Sequence, residues 1–91
     1  MNNSFTLWKE MLGQNHDIFS SPSLNSERVG TYSKDHYIIF SEIIYNEQGV
    51  FGRMSDQSLF FANLEVTGFI QISSGTTQFY SYKYGPLHFS V

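Results

Sequence analysis

The stretch "NLEVTGFIQIS" at residues 63–73 constrains this chain more than any other. Leu64, Val66, Ile70 and Ile72 alternate there with Glu65, Thr67, Phe69 and Gln71. Successive side chains of a strand point to opposite faces, so this rhythm predicts a half-buried antiparallel strand. Such a strand needs neighbours, and the flanking sequence supplies them.

From Arg28 onward the chain divides into short apolar runs separated by turn residues. "RVGTYS" and "HYIIFSEIIYNE" flank "SKDH", a hairpin turn. "NEQG" offers a glycine for positive φ, "VFGRM" follows it, and "SDQS" turns the chain again. After residue 73, "SSGT" leads into "TQFYSYKY", "GP" interrupts, and "LHFSV" places Leu87, Phe89 and Val91 on one face of a last short strand.

The first quarter follows a different period. In "NSFTLWKEMLG", Phe5, Trp8 and Leu12 recur at helical spacing, and Leu7 and Met11 widen the stripe. Asn3 or Ser4 can cap the first turn and Gly13 can end the last. A helix of about three turns is marginal alone and has to dock. "QNHDIFSSPSLNS" reads as a connection anchored by Ile18, Phe19 and Leu24. The expectation is a single α+β domain over residues 1–91. It has a helix at about 4–12, a loop at 13–27, and five or six antiparallel strands from 28 to 91, with the helix covering the apolar face. The alternative is a small β-barrel with that helix as a plug.

Composition narrows the function. Charged residues are 14% of the chain, against about 25% in soluble domains. The net charge is −3, and the five cations Lys9, Arg28, Lys34, Arg53 and Lys83 are scattered. Phosphate neutralisation needs clustered cations, so nucleic acid is not an expected partner. There is no cysteine, and the N-terminal residues show no basic stretch followed by an apolar block. Apolar runs of the size of "YIIF" and "LFFA" are too short to span a bilayer. A cytoplasmic protein without a membrane partner is expected.

Chemistry-bearing motifs are missing. His16 and His36 each adjoin an aspartate, Asp17 and Asp35, but neighbours in an extended chain point apart. His88 stands alone, and no metal-ligand spacing, nucleophile motif or phosphate loop occurs. No catalytic residue, metal or cofactor is predicted, and the chain is not expected to be an enzyme. Glu42, inside "IIFSEIIY", is expected to face solvent or stand at a bulge, with Arg28 or Arg53 as its partner if it turns inward.

The aromatic run "QFYSYKY" then becomes the strongest functional feature. Alternation puts Phe79, Ser81 and Lys83 on one side and Tyr80, Tyr82 and Tyr84 on the other. Three phenols in a row suit a wet face, because each hydroxyl needs a partner. Tyrosine is also enriched at binding hot spots. The predicted partner-binding residues are Tyr80, Tyr82 and Tyr84, with Phe69 extending the patch and Asp56 and Glu65 orienting a basic partner. The function expected is stoichiometric protein binding, as in an immunity protein or an anti-defence inhibitor acting on a toxin or defence enzyme. One alternative is a homodimer or phage or secretion assembly built through the uncharged "LHFSV" edge. The other is a small-molecule site at an aromatic barrel mouth.

Overall fold

Residues 6–10 form a strand, not a helix. In the computed structural model, which describes residues 5–62 and 64–88, β1 (Thr6–Glu10) lies between β4 (Tyr37–Asn46) and β8 (Tyr80–Tyr84) and pairs antiparallel with both. Thr6, Trp8 and Glu10 therefore share one face, and Leu7 and Lys9 share the other. The apolar residues fit a helical stripe as well as this alternation. Two ladders and the packing of Trp8 decide between them. Its indole meets the Phe40 ring at 6.0 Å and the Tyr82 ring at 5.5 Å, both edge-on. A three-turn helix has no comparable partner to offset its nucleation cost.

Strands account for the rest of the frame. Besides those three, they are β2 (His16–Phe19), β3 (Arg28–Tyr32), β5 (Gly49–Met54), β6 (Phe69–Ser74) and β7 (Thr77–Gln78). The order across the sheet is β3-β2-β6-β5-β4-β1-β8, and β7 pairs with β6. β7 and β8 are one run of chain interrupted only at Phe79. Because β7 pairs with β6 and β8 pairs with β1, the path β6-β5-β4-β1-β8 returns to β6 and closes. The β2–β3 hairpin joins β6 beside that closure, through Phe19 opposite Phe69. Among the described residues the helical elements are a 3-10 turn at Asp56–Ser58 and α1 (Leu59–Ala62).

This overturns the α+β expectation: neither a helix packed on a sheet nor a helix-plugged barrel forms. The segment expected as a loop at 13–27 contains β2. The strand expected at 64–72 begins only at Phe69, and residues 64–68 cross over β3 instead. A β-carbon at Gly30 would touch Val66 at 3.1 Å, which shows how closely that connection passes. The "LHFSV" segment is not a strand as far as His88, and residues 89–91 lie outside the described residues.

Ile18, Tyr32, Ile38, Phe40, Met54, Ile70, Ile72 and Tyr80 form the core. Ile38, Ile39 and Phe40 are all buried in succession, an unusual run for an alternating strand. The reason lies in the chain after β5. Ser58, fully buried, donates its hydroxyl to Ile39 O at 2.7 Å and accepts from Ile39 N–H at 2.9 Å. Ser55 N–H also donates to Ile39 O at 2.8 Å, so the turn after β5 takes the place of a strand partner for Ile39. The ladder between β4 and β5 slips by one residue between Phe40 and Glu42. Glu42 is left outside, where it accepts from Arg53 Nε at 2.9 Å.

Gly52 permits the packing of Phe40. A β-carbon there would fall less than 3 Å from three atoms of the Phe40 ring. Gly52→Ala is therefore expected to destabilise the protein by about 1–3 kcal/mol. Urea unfolding should show a lower midpoint with an unchanged slope. An unaltered midpoint would mean that Phe40 does not occupy this position.

Candidate functional site

Two places stand out, one buried and one exposed. The buried one is the carboxylate at the end of β1. Glu10 is held among five donors. The backbone N–H groups of Leu12 and Gly13 donate to it at 2.9 Å each, those of Gln14 and Asp35 at 3.3 and 3.1 Å, and His16 Nε2 lies 3.0 Å away. Burial by itself drives the Glu10 pKa upward. The hydrogen bonds from His16, Asp35, Leu12 and Gln14 outweigh it and lower the pKa from 4.5 to about 2.

An ionised carboxylate only accepts hydrogen bonds, so His16 must present its proton on Nε2. The arrangement fastens the 11–14 turn, the 33–36 turn and β2 to the end of β1. Asp35 reaches Glu10 from the left-handed region, at φ 62°, which is uncommon for a residue with a β-carbon. The His16 ring also packs 5.0 Å from the Tyr80 ring and 5.5 Å from that of Phe79. Asp17 and Asp35 adjoin the histidines in sequence but were not expected to pair with them. The partner is Glu10, six residues before His16, and the turn between them, whose N–H groups bind the same carboxylate, brings the two together.

The tyrosine row divides. Tyr80 and Tyr82 do share a face, as alternation requires, but it is the inner one, because they lie opposite Glu10 and Trp8. Tyr80 is fully buried and its hydroxyl has no hydrogen-bond partner among the described residues. Burial pushes its phenol far above the ordinary range, with Tyr32 and the Glu10 charge adding to the effect. Tyr82 sits at the rim, 51% exposed, and donates its hydroxyl to Gly85 O at 3.0 Å. Between Leu7 and Trp8 the register shifts, so that Leu7 lies opposite Tyr84 while Trp8 lies opposite Tyr82. That bulge turns Tyr84, 62% exposed, to the outer face.

On this outer face the cross-strand partners align. Tyr84 is level with Leu7, Leu7 with Ile39, and Lys9 with Tyr37. Lys9 Nζ stands 5.3 Å from the centre of the Tyr37 ring, and Phe61 of α1 packs 6.3 Å from it. Tyr37, Phe61 and Tyr84 are all exposed. Tyr84, Leu7, Lys9, Tyr37 and Phe61 thus share one outer face, with aromatic residues on β8, β4 and α1 and with Leu7 and Lys9 of β1 between them. It borders the outer edge of β8, which no strand among the described residues pairs. Met11 N–H donates to Phe79 O at 3.0 Å, and two-residue alternation then points the Tyr82 backbone groups away from β1.

The other expected contact residues lie elsewhere. Phe69 is only 8% exposed, lying opposite Phe19 and beneath the Arg53 guanidinium at 4.7 Å. It does not extend the tyrosine patch. Asp56 and Glu65 are exposed, but Asp56 follows β5, which β4 and β1 separate from β8, and Glu65 belongs to the crossing near β3. The sequence-based reasoning missed Tyr37 and Phe61. Their signal was weak, since each is one aromatic inside an apolar run, and only pairing shows which face it takes.

Among the described residues no group of three or more His, Cys, Asp or Glu is placed to hold a metal ion. Among them no helix is long and apolar enough to cross a membrane. Comparison with protein-family models, curated proteins and solved structures gives no match.

The Glu10 clasp makes an acid-stability prediction. Its folded pKa lies below the unfolded value, so its stabilisation is complete above about pH 4.5 and fades as pH falls towards 2. The loss across that window should reach about 3 kcal/mol. In Glu10→Gln the slope of stability against pH between 4.5 and 2 should flatten, and stability at pH 7 should fall by about 2–3 kcal/mol. Urea midpoints measured from pH 2 to 7 test both. A variant with the wild-type slope would remove Glu10 as the group responsible.

Proposed function

We propose that this protein is a non-enzymatic, protein-binding module of the stoichiometric inhibitor kind, as immunity proteins and anti-defence inhibitors are. The observation that carries this reading is the outer face formed by Tyr84, Leu7, Lys9, Tyr37 and Phe61 beside the unpaired edge of β8. Tyrosine adds contact area at low side-chain entropy, which suits it to anchor an interface. A free strand edge adds main-chain hydrogen bonds, the basis of recognition by strand addition. The net charge of −3 favours approach of a basic protein surface, at short range in physiological salt. The partner contributes an extended segment along β8 and an apolar surface over the tyrosines.

Two pairs of variants separate the contributions. Tyr37→Ser with Tyr84→Ser removes the aromatic face without touching the core. Tyr82→Pro compared with Tyr82→Ala isolates the outward backbone N–H of the edge. The partner is first identified by affinity purification from the organism that encodes this chain, then reconstituted and titrated by calorimetry. A 1:1 complex that weakens at least tenfold in the serine pair, and further in Tyr82→Pro than in Tyr82→Ala, is the expected result. A complex unaffected by either pair would exclude this face.

A further inference from the structure

Beside the Glu10 clasp lies a cleft of about 220 Å³ that the protein-binding reading does not use. It opens where β2 parts from β6 and β7. Phe19 and Phe79 form its apolar wall, and the polar side chains on it are Gln14, Asn15, His16, Asp17 and Gln71. Sites for drug-sized ligands measure about 300–1,000 Å³, so this cleft has room for a single ring.

The hydrogen-bonding character of the wall is set by what its residues already hold. His16 is only 9% exposed, and Glu10 occupies its Nε2. Its Nδ1 has no partner among the described residues and, in the neutral imidazole with its proton on Nε2, is an acceptor. Gln71 Nε2 donates to Gln48 O at 2.8 Å, which leaves the Gln71 Oε1 to accept. Asn15 Oδ1 accepts from Lys34 N–H at 2.9 Å, which leaves its amide N–H groups to donate. Asp17 adds a carboxylate, and Arg28 Nε stands 3.8 Å from it. The Gln14 amide, with no partner among the described residues, can do either.

These groups discriminate between ligand classes. An anion would meet three acceptors and one committed donor, so phosphates and carboxylates are disfavoured. A cation would gain little from Asp17, whose charge Arg28 already faces. A neutral ligand rich in hydroxyl groups satisfies both the acceptors and the Asn15 donor. Its C–H face can lie on the phenylalanines, as aromatic walls favour. We propose that this cleft binds a single neutral sugar ring, with His16 Nδ1, Gln71 Oε1 and Asp17 accepting from its hydroxyls and Asn15 donating to one. The clasp on Glu10 is then a positioning device: it holds the imidazole in one tautomer and one orientation towards the cleft.

The full chain, labelled with ¹⁵N, is titrated with the methyl pyranosides of glucose, galactose and mannose. Agmatine serves as the donor-rich cation and inorganic phosphate as the anion. For at least one sugar, amide shifts should concentrate at Gln14, Asn15, His16, Asp17 and Gln71, with half-saturation at about 1–10 mM, in keeping with a ligand of one ring. Asp17→Ala and Gln14→Ala alter exposed side chains, so both should keep the wild-type spectrum elsewhere and bind that sugar at least fivefold more weakly. Tyr45→Ser, at an exposed position outside both surfaces, should bind it as the wild type does. Shifts with agmatine or phosphate alone, shifts centred away from the cleft, or no shift with any sugar would each overturn the proposal.

Discussion

A buried carboxylate at the end of one strand, ringed by five hydrogen-bond donors, holds together parts of this protein that are far apart in sequence. Glu10 ties its own following turn, the β3–β4 turn and the first residue of β2 to a single point. A lone charge removed from water is very costly, and together those donors offset that cost and keep it ionised. The same bonds that satisfy Glu10 fix where β2 begins and which way the His16 imidazole faces. They make the end of β1 a rigid corner, and a cleft lies against that corner.

The closure of the sheet follows from a second device, a strand that changes partner. At Phe79 the chain stops pairing with β6, to which its N–H still donates at 2.8 Å, and begins pairing with β1; Met11 N–H, just past β1, reaches its carbonyl at 3.0 Å. One residue thus serves two neighbours, and the ring of strands closes without a long connection. The consequence is a gap on the side where β6 takes β2 as its neighbour. Both candidate surfaces derive from it, the cleft between β2 and β6–β7 and the unpaired outer edge of β8. Closing a sheet removes edges; among the described residues those of β3 and β8 remain, and the β8 edge carries Lys83 and a bulge between Tyr82 and Tyr84.

Much of the frame was legible in the sequence. The hairpin signals "SKDH", "NEQG" and "SSGT" fall at turns, and the strands expected after Arg28 include β3, β4 and β5 with nearly the observed bounds. Local chemistry determines such features: glycine at φ 127° at the start of β5 and at φ 59° after β6 supplies backbone that other residues resist. The first strand was not legible, because its apolar residues satisfy both periods and what decides between them lies thirty and seventy residues away. The site was legible only in part. Tyr82 and Tyr84 are exposed as expected, but Tyr80 and Phe69 are covered, since alternation gives the faces of a strand and not which face is inside.

The sequence by itself determined an antiparallel β architecture over most of the chain, the positions of its turns, and a surface poor in charge and rich in aromatic residues. These follow from side-chain periodicity and backbone preference, which act over a few residues. Only the tertiary structure decided that residues 6–10 extend rather than coil, that Glu10 rather than an adjacent aspartate holds His16, and that a one-residue bulge turns Tyr84 to the same outer face as Tyr37. The first and last of those outcomes depend on register between distant strands. A shift of one residue exchanges the two faces, and no local pattern records it.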